Sequence, residues 1–436
     1  MNYEQARMFL DEIRTSGSVY GLESIRGLMA RLGNVQEQLS VIHVAGTNGK
    51  GSVCAMLAAV LQAAGYRTGV YASPAVFEPE EIIKVDGSAI SQEAFAGFAS
   101  RVQAACMDMQ KEGLPHPTVF EVETAIAFCY FKTEKCDVVV LETGLGGAQD
   151  ATNLLLHPLC SVLTSISMDH MELLGRTLVE VAAAKAGIMK AGSPCVSAVQ
   201  QKAAEAVLKN AAAEKGVVLH MADSSCIGSF TYDGEKSLFE AEVCGSKKVH
   251  GRLGLSGACQ KENLACVLEV IRVLTERGLR ITQEAMLEGL AKVRLPGRFE
   301  KLSSEPDFYM DGAHNAGAAY FLRETVRSCL AGRKIVYIIG VFADKEYEKL
   351  LQIMLADAAQ VFTVTPRHAR ALDGKKLAQL AEKLHPKVTF VPDLMQAAEL
   401  AVQAAGREGA VLAFGSFSYL GELKAEWGRA RESRQK

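Results

Sequence analysis

The chain has 436 residues, of which 49% are hydrophobic and 22% are charged. These proportions are typical of a globular protein of two or three domains and exclude a fibrous or intrinsically disordered chain. The 47 basic and 50 acidic side chains give a formal net charge of -3 at pH 7. The composition therefore offers no global positive field to hold nucleic acid or an anionic membrane.

The 11 cysteines are scattered along the chain, without a Cys-x-x-Cys pair or a Cys/His cluster at zinc spacing. We interpret them as reduced core thiols. Residues 1–14 carry charges where a signal peptide requires an apolar run, and no segment reaches about 18 uninterrupted apolar residues. The sequence predicts a cytoplasmic protein without a membrane partner.

The first strongly patterned segment is the apolar run Val41–Ala45, followed by a glycine-rich turn and an apolar stretch over residues 53–64. This order predicts a strand, a phosphate-type loop and a helix. Strands rich in Val, Ile and Leu then alternate with segments of helical periodicity as far as residue 215. The alternation predicts a parallel sheet covered on both faces. Together with the phosphate-type loop after its first strand, the pattern predicts a P-loop ATPase domain.

The pattern changes twice after residue 215. Residues 226–256 form short alternating runs separated by Asp233-Gly234 and Gly245-Ser246, which predicts antiparallel hairpins appended to the first domain. Pro296-Gly297 then interrupts the pattern, and a new series of strands and helices follows. We therefore predict an ATP-binding domain over residues 1–294 and a smaller, Rossmann-like α/β domain over residues 295–436.

The glycine-rich turn reads Gly46-Thr-Asn-Gly-Lys-Gly-Ser52. Its glycines let backbone N–H groups surround a phosphate, the helix N-terminus adds its dipole, and Lys50 supplies a cation for the β- and γ-phosphate oxygens. The turn departs from the common P-loop pattern because Gly51 follows the lysine and the hydroxyl of Ser52 comes one residue later. The pattern favours nucleotide binding over a purely structural turn.

Further polar residues stand at the ends of predicted elements. Glu142 closes a strand, where it could hold Mg²⁺ or be a surface acid before a turn. Read from the residues alone, Ser73 is a turn residue. For His170 the residues favour a structural role over a functional one, and for Lys185 they favour a solvated helix position over a functional one.

The second domain contributes Asp311-Gly-Ala-His-Asn315 at the end of its first strand. Asp311 could accept a hydrogen bond from a ribose hydroxyl, and His314 could reach a phosphate. The structural alternative is that Asn315 caps the following helix. Arg298 could be a phosphate partner or a solvated side chain after a linker.

These motifs, in this order, resemble those of the Mur ligase superfamily, and most closely those of the folylpolyglutamate synthase and dihydrofolate synthase family. The resemblance covers nearly the whole chain. It rests on Leu32-Gly-Asn34, residues 41–52, Ser73-Pro74, Phe120-Glu-Val-Glu-Thr124, Leu141-Glu-Thr-Gly-Leu-Gly-Gly147, Asp150-Ala-Thr-Asn153, Asp169-His170, Lys185-Ala-Gly-Ile188, Gln260, Asn263, Pro296-Gly-Arg298, residues 311–315, Asp344-Lys345, Thr365-Pro366, Arg370-Ala-Leu372 and Gly415-Ser-Phe417.

The resemblance implies an ATP-dependent ligase that joins L-glutamate to a folate carboxylate, or to dihydropteroate, through an acyl phosphate. It implies ATP, Mg²⁺ at two sites and a carbamylated Lys185, with a monovalent cation as a further candidate. It also implies a monomer with small-molecule substrates and no nucleic-acid partner. Two alternatives stay open: a Mur-type ligase for another carboxylate, and a P-loop ATPase switch protein.

The resemblance also assigns roles to residues. The catalytic set would be Lys50, His170, Lys185 and His314. The magnesium ligands would be Ser73, Glu142 and His170. The nucleotide would contact Gly46, Thr47, Asn48, Gly49, Lys50, Gly51, Ser52, Asn263, Arg298 and Asp311. The acyl acceptor would contact Tyr20, Gly21, Leu22, Thr118, Val119, Phe120, Gln149, Asp150 and Ala151, with Ser416 near glutamate.

The chain departs from the family pattern around the substrate loops. The segment Ser73-Pro-Ala-Val-Phe-Glu-Pro-Glu-Glu-Ile82 is one residue shorter than its family counterpart and lacks that counterpart's His and Arg. Ala148 stands where the family has Arg, and Val35 stands where it has Pro. Loss of the His and Arg of this loop predicts weaker handling of anionic polyglutamate tails.

Overall fold

The computed structural model describes residues 1–15, 21–242 and 248–435. Its contacts group into two compact units. The first unit contains Met1–Cys226 and Glu262–Lys292, and the second contains Ile227–Ala241, Lys248–Lys261 and Val293–Lys436. In the described segments, no helix combines the length and the apolar character that a membrane crossing requires.

Strands and helices alternate through the first half of the chain. The strands are β1 (Val41–Ala45), β2 (Thr68–Tyr71), β3 (Ile83–Val85), β4 (Ser88–Ala89), β5 (Val138–Glu142), β6 (Cys160–Leu163), β7 (Cys195–Ser197) and β8 (Leu219–Met221). The helices are α1 (Tyr3–Thr15), α2 (Glu23–Arg31), α3 (Lys50–Ala63), α4 (Gln92–Lys111), α5 (Val119–Thr133), α6 (Met171–Leu174), α7 (Leu178–Ala186) and α8 (Lys202–Lys215).

The eight strands form one sheet in the order β4-β3-β2-β5-β1-β6-β7-β8. The six strands from β2 to β8 in this order are parallel, and β3 and β4 extend one edge in antiparallel pairing. Every residue of β1 and β5 is buried, as expected for central strands covered on both faces. The predicted parallel sheet is confirmed.

Local sequence signals set several helix boundaries. The helix α5 begins with a capping box in which Thr118 and Glu121 exchange side-chain and backbone hydrogen bonds, and α7 begins with the equivalent pair Thr177 and Glu180. Such pairs satisfy N–H groups that have no partner inside the helix. The helix α8 ends at Lys215 and is followed by Gly216, whose φ of 62° is in the left-handed region.

The rest of the chain continues with further strands and helices. The strands are β9 (Ile227–Tyr232), β10 (Ser237–Glu242), β11 (Lys248–Leu253), β12 (Glu300–Ser303), β13 (Asp307–Asp311), β14 (Ile335–Ile339), β15 (Gln360–Thr363), β16 (Val388–Phe390) and β17 (Ala410–Phe414). The helices are α9 (Gln260–Glu276), α10 (Gln283–Lys292), α11 (Ala316–Cys329), α12 (Tyr347–Met354), α13 (Gly374–Ala381), α14 (Leu394–Ala405) and α15 (Phe417–Gln435).

The second unit contains a sheet in the order β12-β13-β17-β14-β15-β16. The strands from β13 to β16 in this order are parallel, and β12 is antiparallel to β13. All residues of the central strands β14 and β17 are buried. The predicted second α/β domain is therefore confirmed as a fold.

The hairpin strands group differently from our prediction. They are antiparallel as predicted, since β9 pairs with β10, but they belong to the second unit rather than to the first. The turn between them lies against β12 and β13: Lys301 pairs with Glu235 at 3.7 Å, and a Cβ on Gly234 would lie 2.9 Å from the hydroxyl of Tyr309. Chain order suggested the first domain, whereas the contacts of the folded chain group the hairpin with the second unit.

Two parts of the predicted organisation are not tested by the structure. The Gly245-Ser246 turn falls outside the described residues. The division at residues 294 and 295 stays a prediction, close to the point between Lys292 and Val293 where the contacts change from one unit to the other.

Candidate active site

The carboxyl ends of β1, β5 and β6 meet at one edge of the first sheet. Val44 is in register with Glu142, and Ala45 is in register with Leu163. The loop after β1, the carboxylate that ends β5 and the segment after β6 are therefore neighbours. Ligands of open parallel sheets bind at this edge, so the candidate active site is located here.

Serines after β6 hold the glycine-rich turn in place. The backbone N–H groups of Thr47 and Asn48 donate to the carbonyl of Ser165 at 2.8 and 3.1 Å, and the Thr47 hydroxyl donates to the carbonyl of Ser167 at 2.9 Å. The first turn of α3 directs its N–H groups out of the helix end, where a phosphate can accept them. Sequence analysis did not identify either serine, although the polar Thr-Ser-Ile-Ser167 segment directly after β6 indicated a possible site.

Asn263 packs against the glycine-rich turn. Gly49 precedes α3 with a φ of 88°, and a Cβ at this position would lie 2.3 Å from Asn263 Oδ1. Asn263 is itself buried in α9. The structure therefore brings together two predicted nucleotide contacts that are more than 200 residues apart in the chain.

Replacing Gly49 with alanine is expected to raise the KM for ATP about tenfold, because the new Cβ displaces Asn263 from the loop. Gly65 is the matched control, since its φ is 87° but a Cβ there would meet nothing within 4 Å. Both variants should lose about 1–2 kcal/mol of unfolding free energy through the left-handed backbone. Steady-state kinetics and thermal unfolding check the pair, and an equal KM for ATP in both variants would contradict the contact.

Lys50 and Glu142 form a cation and carboxylate pair at the sheet edge. Lys50 Nζ lies 3.9 Å from Glu142 Oε1 and donates to the carbonyl of Thr47 at 3.3 Å. Glu142 is 4% exposed. A lysine that reaches phosphate oxygens beside a carboxylate that suits a hard metal is the arrangement that phosphoryl transfer requires.

Lys185 is a buried residue and not a solvated one. It is 4% exposed, and its Nζ donates to the carbonyl of Gly46 at 2.8 Å. Burial, followed by the positive charge of Lys50, lowers the pKa of Lys185 to about 7, while Asp169 and Asp150 act in the opposite direction. Its amine is therefore neutral in a large fraction of molecules near neutral pH.

His170 and Ser73 are the other two predicted metal ligands. His170 takes a left-handed φ of 48° before α6, and its Nε2 lies 3.9 Å from Asp169 Oδ1. Ser73 is half-buried two residues beyond the end of β2. Among residues 1–15, 21–242 and 248–435, no three His, Cys, Asp or Glu side chains form a group that could hold a metal ion.

The start of α5 places an aromatic ring beside the loop after β5. The Thr118 hydroxyl accepts from the N–H of Glu121 at 3.2 Å, so this side chain is a helix cap. The ring of Phe120 lies 5.8 Å from that of Tyr71 and so close to Gly144 that a Cβ there would be 2.5 Å from it. Val119 is the first residue of the helix.

The loop after β5 also meets the residues before α2. Gln149 Oε1 lies 3.8 Å from the position of a Cβ on Gly21. Leu22 precedes α2 and packs against the core of the first unit. Ala151 is buried, and Tyr20 lies outside the described residues.

Acidic residues organise the short loop after β2. Glu81 Oε1 accepts from the N–H groups of Val76 and Phe77, the latter at 2.8 Å. Burial raises the pKa of Tyr3 to about 12, and its hydrogen bond to Glu80 contributes in the same direction. The loop that lacks the family's His and Arg is therefore held by its own carboxylates and by α1.

In the second unit, Asp311 accepts from the N–H groups of Phe299 and Ala313, each at 2.8 Å. Burial raises the pKa of Asp311, and the charge of Arg298 partly opposes this. His314 Nδ1 donates to the carbonyl of Gly312 at 2.8 Å, which fixes that tautomer. Asn315 caps α11, as the structural alternative predicted.

Phe417, in the second unit, contacts Arg298, which sequence analysis did not predict. The Arg298 guanidinium lies 4.9 Å from the centre of the Phe417 ring. Cβ atoms on Gly297 and Gly312 would come within 2.6 and 2.0 Å of the ring. Phe417 thus orients Arg298 beside the Asp311 turn, and the neighbouring Ser416 is buried with its hydroxyl 3.0 Å from that of Ser418.

Comparison with known proteins places this site in a class. Residues 44–271 match the family described as Mur ligase middle domain, and residues 297–417 match the glutamate ligase domain of Mur ligases. The P-loop with its Lys50 and Glu142 pair lies in the first of these regions, and the Asp311 turn lies in the second. The fold and the site define an ATP-dependent ligase of the Mur type.

Individual relatives narrow the class. The chain is 32% identical to the dihydrofolate synthase/folylpolyglutamate synthase of Bacillus subtilis, over 97% of this chain and 98% of that protein. Mycobacterium tuberculosis folylpolyglutamate synthase complexed with ADP superposes with a TM-score of 0.90 at 28% identity, covering 98% of this chain and 99% of that one. Escherichia coli FolC in complex with DHPP and ADP gives a TM-score of 0.86 at 28% identity, over 98% of each chain. The chain belongs to the folylpolyglutamate synthase/dihydrofolate synthase family.

This result confirms the predicted family, fold class and enzyme class. The protein is an ATP-binding ligase that joins an acid to an amino acid. The assignment of individual residues to metal, nucleotide and acceptor stays a prediction.

Proposed function

We propose that the chain adds L-glutamate to a reduced folate and to dihydropteroate, with cleavage of ATP to ADP. The observation that carries the proposal is the meeting of Lys50, Glu142 and Lys185 around the glycine-rich turn. The substrate pair is supported by the Bacillus subtilis relative, which is named for both activities. The Escherichia coli complex, with its DHPP and ADP, supports an acceptor and a nucleotide in the same fold.

The chemistry follows from the weakness of a carboxylate as an electrophile. The acceptor carboxylate would attack the γ-phosphate, so that one P–O bond forms and the bond to ADP breaks. The glutamate amine would then attack the carbonyl of this acyl phosphate, so that an amide forms and phosphate leaves. Lys50 would neutralise charge that develops on the transferred phosphoryl group.

Glu142, Ser73 and His170 are our candidates to hold two Mg²⁺ ions. The donor set fits this metal, because Mg²⁺ is bound by one or two carboxylates together with phosphate oxygens and water rather than by an all-protein cage. The absence of a three-ligand cluster in the described segments is compatible with that mode. Bound Mg²⁺ would supply charge neutralisation for the phosphates.

Lys185 is our candidate for carbamylation. A neutral, buried amine is the species that adds CO2, and the resulting carbamate would turn a cation beside Gly46 into an oxygen ligand. A monovalent cation is a further candidate, for which we assign no residues.

The remaining predicted residues have nucleotide or substrate roles in the proposal. Asn263, Arg298 and Asp311 would bind the adenine, phosphate and ribose portions, with His314 near the phosphates. Ser416 would lie near glutamate. The residues proposed to contact the acyl acceptor are Tyr20, Gly21, Leu22, Thr118, Val119, Phe120, Gln149, Asp150 and Ala151. We also propose a monomeric, cytoplasmic enzyme; the ten cysteines of the described segments are free thiols.

The test is phosphate release by the purified protein with ATP, Mg²⁺ and glutamate, in parallel with dihydropteroate, with tetrahydrofolate and with neither. Release only with a pterin acceptor, together with a product heavier by one glutamyl unit, is expected. Release with no dependence on either acceptor would contradict the proposal and point to another carboxylate substrate.

The same assay tests the altered loop after β2. Because this loop lacks the family's His and Arg and contains Glu78, Glu80 and Glu81, kcat/KM should fall as the glutamate tail of the folate lengthens. Mono-, di- and triglutamates are compared at low ionic strength, where charge effects are largest. A rate independent of tail length would show that the loop does not sense the tail.

A further inference from the structure

A buried hydrogen-bonded chain links β1 to the loop after β5. His43 and Thr152 are both 0% exposed, and His43 Nε2 lies 2.8 Å from Thr152 Oγ1. The same threonine oxygen lies 2.5 Å from Asp150 Oδ1. Three polar side chains therefore meet inside the first unit, and one of them, His43, lies on the strand that leads into the glycine-rich turn.

The direction of the hydrogen bonds follows from what each group can donate. A carboxylate only accepts, so the Thr152 hydroxyl donates to Asp150. The threonine oxygen then accepts from His43, which places the imidazole proton on Nε2. Burial lowers the pKa of His43 to about 3, so the ring is neutral. Its Nδ1 has no hydrogen-bond partner within the described part of the chain.

Asp150 in turn holds the loop after β5. Asp150 Oδ2 accepts from the N–H of Leu145 at 2.7 Å, and its Oδ1 accepts from the N–H of Thr152 at 3.0 Å. Both oxygens of its carboxylate therefore accept hydrogen bonds within the protein, which sequence analysis did not predict. Asp150 therefore connects Leu145 and Thr152 across the loop.

The far end of this loop is fixed to the helix that carries Lys185. The N–H of Ala148 donates to the carbonyl of Ala184 at 2.8 Å, and Asn153 Nδ2 donates to the carbonyls of Ala148 and Gly187 at 3.0 and 3.3 Å. The conformation of residues 144–148 therefore depends on β1, on α7 and on the buried carboxylate between them.

We propose that His43 and Thr152 are positioning residues of the ligase, which orient Asp150 and through it fix residues 144–148 beside Glu142 and the acyl acceptor. The inference rests on the proposed function, because that function supplies the acceptor. Burying a histidine whose second ring nitrogen has no hydrogen-bond partner within the described part of the chain lowers the free energy of unfolding. An aliphatic side chain at the same strand position would not carry this penalty. The contact with Thr152 is what the histidine provides.

The test separates positioning from general stability. Thr152→Val keeps the shape and removes the hydroxyl, and Thr152→Ser keeps the hydroxyl. We expect Thr152→Val to raise the KM for the pterin acceptor about tenfold, the effect of losing one buried charge-assisted hydrogen bond, while the KM for ATP changes less than about twofold. Thr152→Ser should restore the acceptor KM.

Thr68→Val is the matched control. Thr68 is also 0% exposed and its hydroxyl donates to the carbonyl of Tyr66 at 2.9 Å, but it lies at the opposite, amino end of β2. This variant should lower the melting temperature without changing the ratio of the two KM values. If both threonine variants change only the melting temperature, the positioning role is wrong.

A second pair and a second measurement guard against misfolding and against a wrong substrate. His43→Gln can keep a donor near Nε2, whereas His43→Leu cannot, so only the leucine variant should behave as Thr152→Val does. Hydrogen exchange of the Leu145 amide should be faster by about tenfold in Thr152→Val than in the wild type. If the wild type shows no pterin-dependent phosphate release, the proposed function fails. The positioning role is tested separately, because an unchanged exchange rate of the Leu145 amide in Thr152→Val would overturn it.

Discussion

Replacement of Lys185 by arginine is expected to lower kcat by about a thousandfold, the scale of losing a group that stabilises developing charge. The Lys185 amine is buried against the carbonyl of Gly46, and its pKa of about 7 makes it available as a neutral nucleophile for CO2. Arginine keeps a positive charge at all relevant pH values and cannot form the carbamate. Phosphate release at saturating substrates measures the effect.

The sign of the pH dependence follows from the same pKa. Because burial lowers the pKa of Lys185 to about 7, its amine is an ammonium below that pH and neutral above it. After removal of CO2, activity regained on adding bicarbonate should therefore increase as the pH rises through about 7. Labelled bicarbonate followed by NMR identifies the carbamate directly.

Lys215 supplies the control for this replacement. Its Nζ also donates to backbone carbonyls, those of Ala186 and Met189 at 3.1 and 3.2 Å, and burial likewise lowers its pKa. The Lys215→Arg variant should keep kcat near that of the wild type. Full activity of Lys185→Arg, or an equal loss in both variants, would rule out a specific carbamate.

Replacement of Lys50 by methionine is the second change with a large expected effect, a fall in kcat of about a thousandfold. Methionine preserves the length and packing of the side chain but leaves Glu142 without the cation that lies 3.9 Å away. The transferred phosphoryl group would also lose its neutralising charge. Because the helix end still offers its N–H groups, ADP should bind within about tenfold of the wild-type affinity.

The measurement therefore compares turnover with nucleotide binding in the same preparation. Calorimetry with ADP measures the number of ADP-binding sites and their affinity, and phosphate release gives kcat. Lys292, an exposed lysine of α10 paired with Glu288, is the control position, and Lys292→Met should match the wild type in both measurements. If the ADP affinity of Lys50→Met fell by the same factor as kcat, the lysine would contribute to nucleotide binding and not specifically to the transition state.

Much of the fold was predictable because its signals are local. The apolar run of β1, the glycine-rich turn and α3 follow directly in the chain, and their residue types predicted both structure and phosphate binding. The Asn315 cap of α11 was predictable for the same reason. In contrast, α1 and α2 were not predicted, because their mixed charged and apolar sequences carry no boundary signal as strong as a glycine-rich turn.

The candidate site was predictable as a set of residue types and not as an arrangement. Ser165 and Ser167, which hold the glycine-rich turn, are ordinary residues in the sequence. Nothing local in the sequence indicates that the Asp150 carboxylate accepts hydrogen bonds from Leu145 and Thr152. The stacking of Arg298 on Phe417 joins residues more than 100 positions apart.

The sequence by itself determined the class of chemistry, since a lysine in a glycine-rich turn, a carboxylate at a strand end and the family motifs are properties of residue type and order. Only the tertiary structure decided which groups meet. The order β2-β5-β1-β6 brings Glu142 beside Lys50, and the packing of α7 buries Lys185 against Gly46, from which it is 139 residues distant. The physical reason is that hydrogen bonds and pKa values depend on distance and burial, which chain order does not specify.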